Sequence, residues 1–249
     1  MAMKITCCLT LILLIGCTAC VNETKGTSDR TTFNNHYTEG VSVWDRISAR
    51  SQPERNSPRA SLLSLGERFL YLDTFAIDSS YNNTKFLKVR LSDSTDVWVY
   101  DFASVLNAKP AVVKSEVPLY LRPDLLTISD TRLQSMEIVA VVEEWDDWIK
   151  IVNEKKASKG WIKKEFISYN TIDLAFALLV KRSMAEEDAE KRIEKLDALL
   201  ENNPYPNTMF VEELRSLIEK EKDAQRESLF EWDREERDRR DGDRRNNDR

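Results

Sequence analysis

Cysteine is missing from almost the whole chain. All four cysteines, Cys7, Cys8, Cys17 and Cys20, lie within the first twenty of the 249 residues. The folded part of the chain therefore has no disulfide, and we attribute these cysteines to targeting rather than to cross-linking.

Histidine is nearly absent as well. The one histidine, His36, lies in a polar N-terminal stretch, and we interpret it as an exposed linker residue. A Ser-His-Asp triad, a Cys-His pair or a multi-histidine metal site cannot be assembled from this composition. Because no nucleophile motif or metal-ligand spacing is found either, the sequence predicts a protein that is not an enzyme and uses no cofactor and no metal.

The chain has fewer positively charged than negatively charged side chains. The chain has 37 Lys and Arg against 43 Asp and Glu, which gives a formal net charge of −6. Binding to a phosphate backbone depends on clustered Lys and Arg that release counterions, so we do not expect nucleic acid as a partner.

A run long enough to span a membrane is also missing. The apolar stretch from Ile5 to Ile15 follows Lys4 and is shorter than the ~20 residues of a spanning helix. This pattern predicts a secretory signal peptide over residues 1–16. The stretch ends in Leu14-Ile15-Gly16-Cys17, which resembles the lipobox of bacterial lipoproteins.

The lipobox resemblance implies cleavage before Cys17, a diacylglycerol on its sulfur and acylation of its new amino group, for example with palmitate. Two or three acyl chains hold a protein on a membrane far better than one. Cys20, which has a poorer preceding sequence, and a plain signal peptide remain alternatives. No Asp follows Cys17, which in enteric-type bacteria implies export to the outer rather than the inner membrane. The membrane is thus an expected partner through the lipid anchor.

Composition divides the rest of the chain. Residues 17–40 are rich in Thr, Asn, Ser and Gly, which predicts a flexible lipidated linker. From Val41 onward, short alternating apolar runs separated by turn residues predict an all-β region. We divide it into two units, 41–108 and 109–169, because a similar order of motifs occurs in both.

The two units share four motifs. The first unit has Ile47-Ser48-Ala49-Arg50, Leu65-Gly66, Phe86-Leu87-Lys88-Val89 and Val97-Trp98-Val99; the second has Val117-Pro118-Leu119-Tyr120, Glu137-Ile138-Val139, Trp148-Ile149-Lys150-Ile151 and Gly160-Trp161-Ile162. Both units resemble bacterial SH3-like (SH3b) domains, and the second is the more specific match. Phe86 replaces the tryptophan typical of the family, and Gln134-Ser135-Met136 replaces its glycine turn.

Trp145 is the tryptophan with the strongest case for a role in binding. It lies in a predicted turn among Glu143, Glu144, Asp146 and Asp147, where an exposed indole has little structural reason to be. We expect it to contact a ligand, with Tyr120 in the same groove. Trp161 we expect to be buried. The four acids lie side by side, so a solvated charge cluster is favoured over glycosidase carboxylates facing across a cleft.

Helices follow the β region. Amphipathic patterns at Thr171–Ala185, Asp188–Asn202 and from about Thr208 predict a two- or three-helix segment over residues 170–230. Residues 231–249 alternate acids and arginines, which predicts a charged, disordered tail, with an extension of the third helix into its first part as the alternative.

The expected fold is mainly β: two small SH3-like β-barrels followed by α-helices. Together with the lipobox, it implies a non-enzymatic lipoprotein of the bacterial cell envelope whose SH3-like domains bind peptidoglycan or an envelope protein. The alternative is a structural or assembly lipoprotein that recruits protein partners through its C-terminal helices. A groove at Tyr120 and Trp145 that is filled by the helix from Thr171 would favour that alternative.

Overall fold

Two antiparallel sheets and three helices make up the part of the chain described by a computed structural model, residues 38–247. The predicted signal peptide, His36 and Cys17 lie outside these residues. Within them, no helix is both long enough and apolar enough to cross a membrane.

The two sheets repeat one arrangement of seven strands. The first contains β1 (Thr38–Ser42), β2 (Ile47–Arg50), β3 (Arg59–Leu63), β4 (Arg68–Asp78), β5 (Thr84–Arg90), β6 (Asp96–Tyr100) and β7 (Ser104–Leu106) in the order β3-β2-β6-β5-β4-β1-β7. The second contains β8 (Lys109–Val113), β9 (Val117–Tyr120), β10 (Ile128–Leu133), β11 (Ile138–Trp145), β12 (Trp148–Val152), β13 (Lys159–Lys163) and β14 (Ile167–Ser168) in the equivalent order β10-β9-β13-β12-β11-β8-β14. The first strand begins at Thr38, inside the predicted linker.

Each sheet has its own apolar core on one face. In the second sheet, alternate residues of β12, Ile149 and Ile151, are fully buried in a cluster to which all seven strands contribute a side chain. In the first sheet, Leu87 and Val89 occupy the equivalent places in β5. The period-two alternation expected from the sequence is therefore present in both sheets.

A left-handed turn precedes the fourth strand of each sheet. Gly66 has φ +80° and donates its N–H to the Ser42 carbonyl at 2.8 Å. Met136 takes the same place with φ 63° and donates to the Val113 carbonyl, also at 2.8 Å. The turn therefore persists in the second sheet although the glycine is replaced by a residue that enters this region at a cost.

Three helices follow: α1 (Thr171–Met184), α2 (Ala189–Glu201) and α3 (Val211–Asn247). Asn170 caps α1 by accepting the Ile172 N–H at 2.9 Å, and Asp188 caps α2 by accepting the Lys191 N–H at 3.0 Å. The segment thus has three helices, within the range that the sequence predicts.

The last helix continues through the charged C-terminal segment. Residues 231–247 are helical in α3, in line with an extension of the third helix into the charged segment. Glu and Arg are good helix formers, and Glu236 lies within 3.6 Å of both Arg239 and Arg240, one helical turn away.

The helices share a core with both sheets. Phe176, Ala177 and Val180 of α1 pack with Val112 and Ile138 of the second sheet. The same cluster also includes Leu65 from the first sheet, Leu196 from α2 and Leu214 and Ile218 from α3. The apolar stripes of α1, of α2 and of the first part of α3 are therefore buried inside this protein.

A carboxylate ties the connection between α2 and α3 to the start of α1. Asp173 is 4% exposed and accepts hydrogen bonds from the Ser168 hydroxyl, the Thr208 hydroxyl and the Met209 N–H, at 2.7, 2.9 and 3.0 Å. Its place in the first turn of α1 also suits a negative charge.

An ion pair joins the first sheet to α1. The guanidinium of Arg182 donates to both carboxylate oxygens of Asp45, at 2.8 and 3.0 Å, and to the hydroxyl of Ser64 at 3.1 Å. Burial raises the pKa of Asp45, but the hydrogen bond from Arg182 and the other donors outweigh it, so the pKa lies below its usual value.

We predict that a double-mutant cycle with Asp45→Asn and Arg182→Gln gives a coupling energy of about 1 kcal/mol at neutral pH. Because the folded-state pKa of Asp45 is lowered, this stabilisation is complete above the unfolded pKa of about 3.9 and is lost as the pH falls through the folded value. Urea denaturation at several pH values measures it. The exposed pair Arg132–Glu116 is the control, with a coupling below about 0.5 kcal/mol. Equal coupling for both pairs would contradict the prediction.

Candidate functional site: an aromatic face on the second sheet

The second sheet carries its large aromatic side chains on the face opposite to its core. In β12, Trp148 and Lys150 alternate with the core residues Ile149 and Ile151. Cross-strand partners point to the same side of a sheet, and the register pairs Trp145 with Trp148. The pairing therefore gathers side chains from four strands on this face.

The members of this face come from β9, β11, β12 and β13. The second cross-strand partner of Trp148 is Lys163. Lys150 is paired with Glu143 on one side and with Trp161 on the other, and Trp161 is in turn paired with Tyr120. We call the resulting surface the aromatic face; it consists of Tyr120, Trp145, Trp148, Trp161, Lys150 and Lys163.

Two of the indoles are covered by their neighbours. Trp148 and Trp161 are 6% and 7% exposed, although neither belongs to the apolar core. Tyr120 packs edge-on against Trp148, with ring centroids 5.0 Å apart. The ammonium groups of Lys163 and Lys150 lie 4.4 Å from the ring of Trp148 and 5.2 Å from that of Trp161. The expected burial of Trp161 is therefore correct, but it occurs on the outer face of the sheet.

Trp145 differs from these residues because it is exposed. Its side chain lies at the tip of the hairpin between β11 and β12 and is 64% exposed. In the first sheet the place equivalent to Trp145, opposite Phe86, is held by Ala76. Burial in a repeated core therefore cannot account for an indole here.

The acids around the tip are solvated, and two of them are paired with lysines. Glu143 accepts from Lys150 at 2.9 Å, and Glu144 lies 3.2 Å from Lys164. Burial, with the charge of Glu144 and a hydrogen bond to it, raises the pKa of Tyr169 to about 12. Tyr169 is therefore neutral at physiological pH. The acids themselves lie side by side at one hairpin tip and do not face each other across a cleft as a glycosidase pair would.

An apolar loop continues the aromatic face at its other edge. Ile128 is the cross-strand partner of Tyr120 and is 55% exposed. The preceding loop exposes Leu121, Leu125 and Leu126, the last to 92%. We did not predict this extension from the sequence, although four large apolar residues around Pro123 in a turn region were a usable signal.

The helices pack on a different part of the outer surface of the second sheet. The first helix packs on β8 and β11, through Val112 and Ile138, and not on the strands that carry Tyr120 and Trp161. The structure thus brings both predicted contact residues, Tyr120 and Trp145, onto one face that α1 does not fill.

A separate cavity of about 640 Å³ lies where the second sheet meets α1 and α3. Its walls include Met136, Val180 and Leu217, with the ion pair between Lys181 and Glu154 at 2.6 Å on its lining. Among residues 38–247, no group of three or more His, Cys, Asp and Glu side chains is placed to hold a metal ion. We assign no ligand to this cavity.

Comparison with known proteins gives little further information. No protein-family model and no curated protein matches the chain. Among solved structures, it is similar to NlpC2 from Trichomonas vaginalis, with 15% identity over 67% of this chain and 56% of that one and a TM-score of 0.24. NlpC1 from the same organism gives 17% identity over 59% and 53% with a TM-score of 0.24, and the CBD of endolysin LysPBC5 gives 11% over 53% and 93% with a TM-score of 0.21.

The chain thus spans 56% and 53% of the two NlpC proteins. Likenesses with TM-scores of 0.21 to 0.24 carry no argument about function.

We predict that Trp145 contributes little to stability whereas Trp148 contributes much. Trp145→Ala should lower the free energy of unfolding by less than about 1 kcal/mol, because the side chain is mostly in solvent. Trp148→Ala should lower it by about 3–5 kcal/mol, since it removes a buried indole. Urea denaturation followed by circular dichroism compares them, and equal losses would contradict this assignment.

Proposed function

We propose that this protein is a lipid-anchored, non-enzymatic protein of the bacterial cell envelope, whose aromatic face binds cell-wall peptidoglycan. One observation carries the binding part: Trp145 exposes its indole at a hairpin tip, on a face that the helices leave free. Exposed aromatic anchors beside charged groups are frequent in binding sites.

The chemistry of the face suits this polymer. Sugar rings present faces of C–H groups that stack on an indole, and the stem peptides of peptidoglycan carry free carboxylates. Lys163 lies beside the ring of Trp148 and offers its ammonium group to such carboxylates. The apolar loop around Leu126 adds contact area at the far edge.

The proposal includes SH3-like barrels for the two sheets. The core of the second sheet takes side chains from all seven of its strands, which supports a sheet curled around a single core. The equivalent strand order in the first sheet supports the same fold there.

Anchoring through Cys17 is part of the proposal and rests on the sequence Leu14-Ile15-Gly16-Cys17. We place the protein at the outer rather than the inner membrane because no Asp follows Cys17. A lipid anchor followed by a polar linker would hold the sheets within reach of the wall.

A second candidate function is recruitment of protein partners through the C-terminal helix. The packed stripe of α3 ends near Ile218, yet Leu229, Phe230 and Trp232 further along are 59%, 65% and 58% exposed. The assembly role would be favoured over wall binding if binding to cell-wall sacculi required Trp232 and not Trp145.

We predict that the full chain cosediments with purified cell-wall sacculi and that Trp145→Ala weakens this binding roughly tenfold, which corresponds to about 1.4 kcal/mol. The matched control is Trp232→Ala, which removes an indole of similar exposure, 58% against 64%, from α3. The control should bind like the unmodified protein. Unchanged binding by the Trp145 variant, or no binding by any form, would refute wall binding through this face.

For the anchor, we predict that cells incorporate labelled palmitate into the protein and that Cys17→Ala abolishes incorporation. Cys20→Ala, the matched control, should retain the label because the lipobox leads to Cys17. In-gel detection of the labelled band measures this. Labelling that survives Cys17→Ala but not Cys20→Ala would assign the anchor to Cys20.

A further inference from the structure

The first sheet contains a cleft of a different chemical character. It has a volume of about 350 Å³, within the usual size range of small-molecule sites. Its lining includes three arginines and three aromatic residues: Arg46, Arg50, Arg55, Tyr81, Tyr100 and Phe102. We call it the arginine cleft.

The arginines of this cleft have no carboxylate partner among its lining residues. The lining contains no carboxylate, and none of the three guanidinium groups is ion-paired within residues 38–247. In a chain with a net charge of −6, three unpaired arginines on one cleft form a local positive potential that attracts anions.

Two of the arginines are held in position. The Nη1 of Arg50 donates to the Ser57 carbonyl at 2.9 Å, while its Nε is buried with no hydrogen-bond partner in the described part of the chain. The guanidinium of Arg55 stacks on the ring of Tyr81, 3.8 Å from its centroid, and its backbone N–H donates to Asp78 at 3.0 Å. Binding an anion would therefore require little ordering of these side chains.

The aromatic residues of the cleft form a packed cluster. Tyr100 lies between Phe86 and Phe102, with centroid distances of 4.6 and 5.1 Å, and Phe102 packs edge-on against Trp44 at 5.3 Å. Phe102 remains 46% exposed. The cleft therefore offers apolar contact area beside its charges.

The same places in the second sheet carry different residues. Trp98 of the first sheet is equivalent to Trp161 of the second. The cross-strand partner of Trp98 is Arg50, whereas that of Trp161 is Tyr120. Phe86 of the first sheet is equivalent to Trp148 of the second. The cross-strand partner of Phe86 is Tyr100, whereas that of Trp148 is Lys163. The cation and the aromatic residue are thus exchanged between the two copies, which indicates that their outer faces select different ligands.

We propose that the arginine cleft binds the terminal oxyanion of a ligand, a carboxylate or a phosphate, whose adjoining apolar part packs on Tyr100 and Phe102. Arginine presents a planar set of donors that matches either oxyanion in a bidentate way. This site is separate from the aromatic face and does not rest on the function proposed above.

The test is calorimetric titration of the full chain with three probes: N-acetylphenylalanine, its C-terminal amide and inorganic phosphate. We expect an oxyanion to bind, the amide not to bind, and Arg46→Gln and Arg55→Gln each to weaken binding roughly tenfold. Both arginines are exposed, so these variants should fold. Arg132→Gln, the same change of charge on the second sheet, is the control and should bind normally.

The two oxyanion probes identify the source of the ligand. Binding of N-acetylphenylalanine that depends on Arg55 supports a carboxylate ligand, and binding of phosphate alone with the same dependence supports a phosphate ligand. Equal binding of the amide, an equal loss in Arg132→Gln, or no binding of either oxyanion would overturn the proposal. A wall-binding defect in Trp145→Ala would leave this result unaffected.

Discussion

The packing of α1 against the second sheet is the contact on which the rest of the structure depends. Phe176, Ala177 and Val180 pack with Val112 and Ile138, in a cluster that also includes Leu65 from the turn before β4. Burial of a large apolar side chain contributes about 2–3 kcal/mol, so this cluster outweighs any single ion pair nearby. The helix covers β8 and the start of β11 on the outer surface of the second sheet, and Trp145, at the far end of β11, stays exposed to solvent.

Duplication explains how one chain carries two distinct surfaces. The strand order is the same in both sheets, and the inward residues keep their apolar character, as Leu87 and Ile149 show. The outward residues are not constrained by the core and have diverged. Arg50 of the first sheet occupies the position equivalent to Tyr120 of the second, and Ala76 occupies the position equivalent to Trp145. Two cores of the same arrangement thus support an arginine cleft in one copy and an aromatic face in the other.

The sequence predicts the mainly β fold, the repeat and the helices because these follow from local periodicity and turn chemistry. It also indicates that Trp145 is exposed, since an indole among four acids has no place in a core. Trp148 and Trp161 could not be assigned to the correct face, because alternation alone does not say which side of β12 is the core. The arginine cleft could not be predicted either, since Arg46, Arg55 and Tyr81 meet only after β4 and β5 fold back. For the last residues of α3, mixed charge suggested disorder, whereas pairs such as Glu236 and Arg240 suit a helix.

The central claim is that the aromatic face binds the cell wall while the helices do not. Nuclear magnetic resonance of the full chain separates these regions, because each of the six tryptophans gives its own indole N–H signal. On addition of soluble peptidoglycan fragments, we expect the signal of Trp145 to shift, with smaller shifts for Trp148 and Trp161, and that of Trp232 to stay in place. A shift of Trp232 alone, or no shift of any indole signal, would contradict the account.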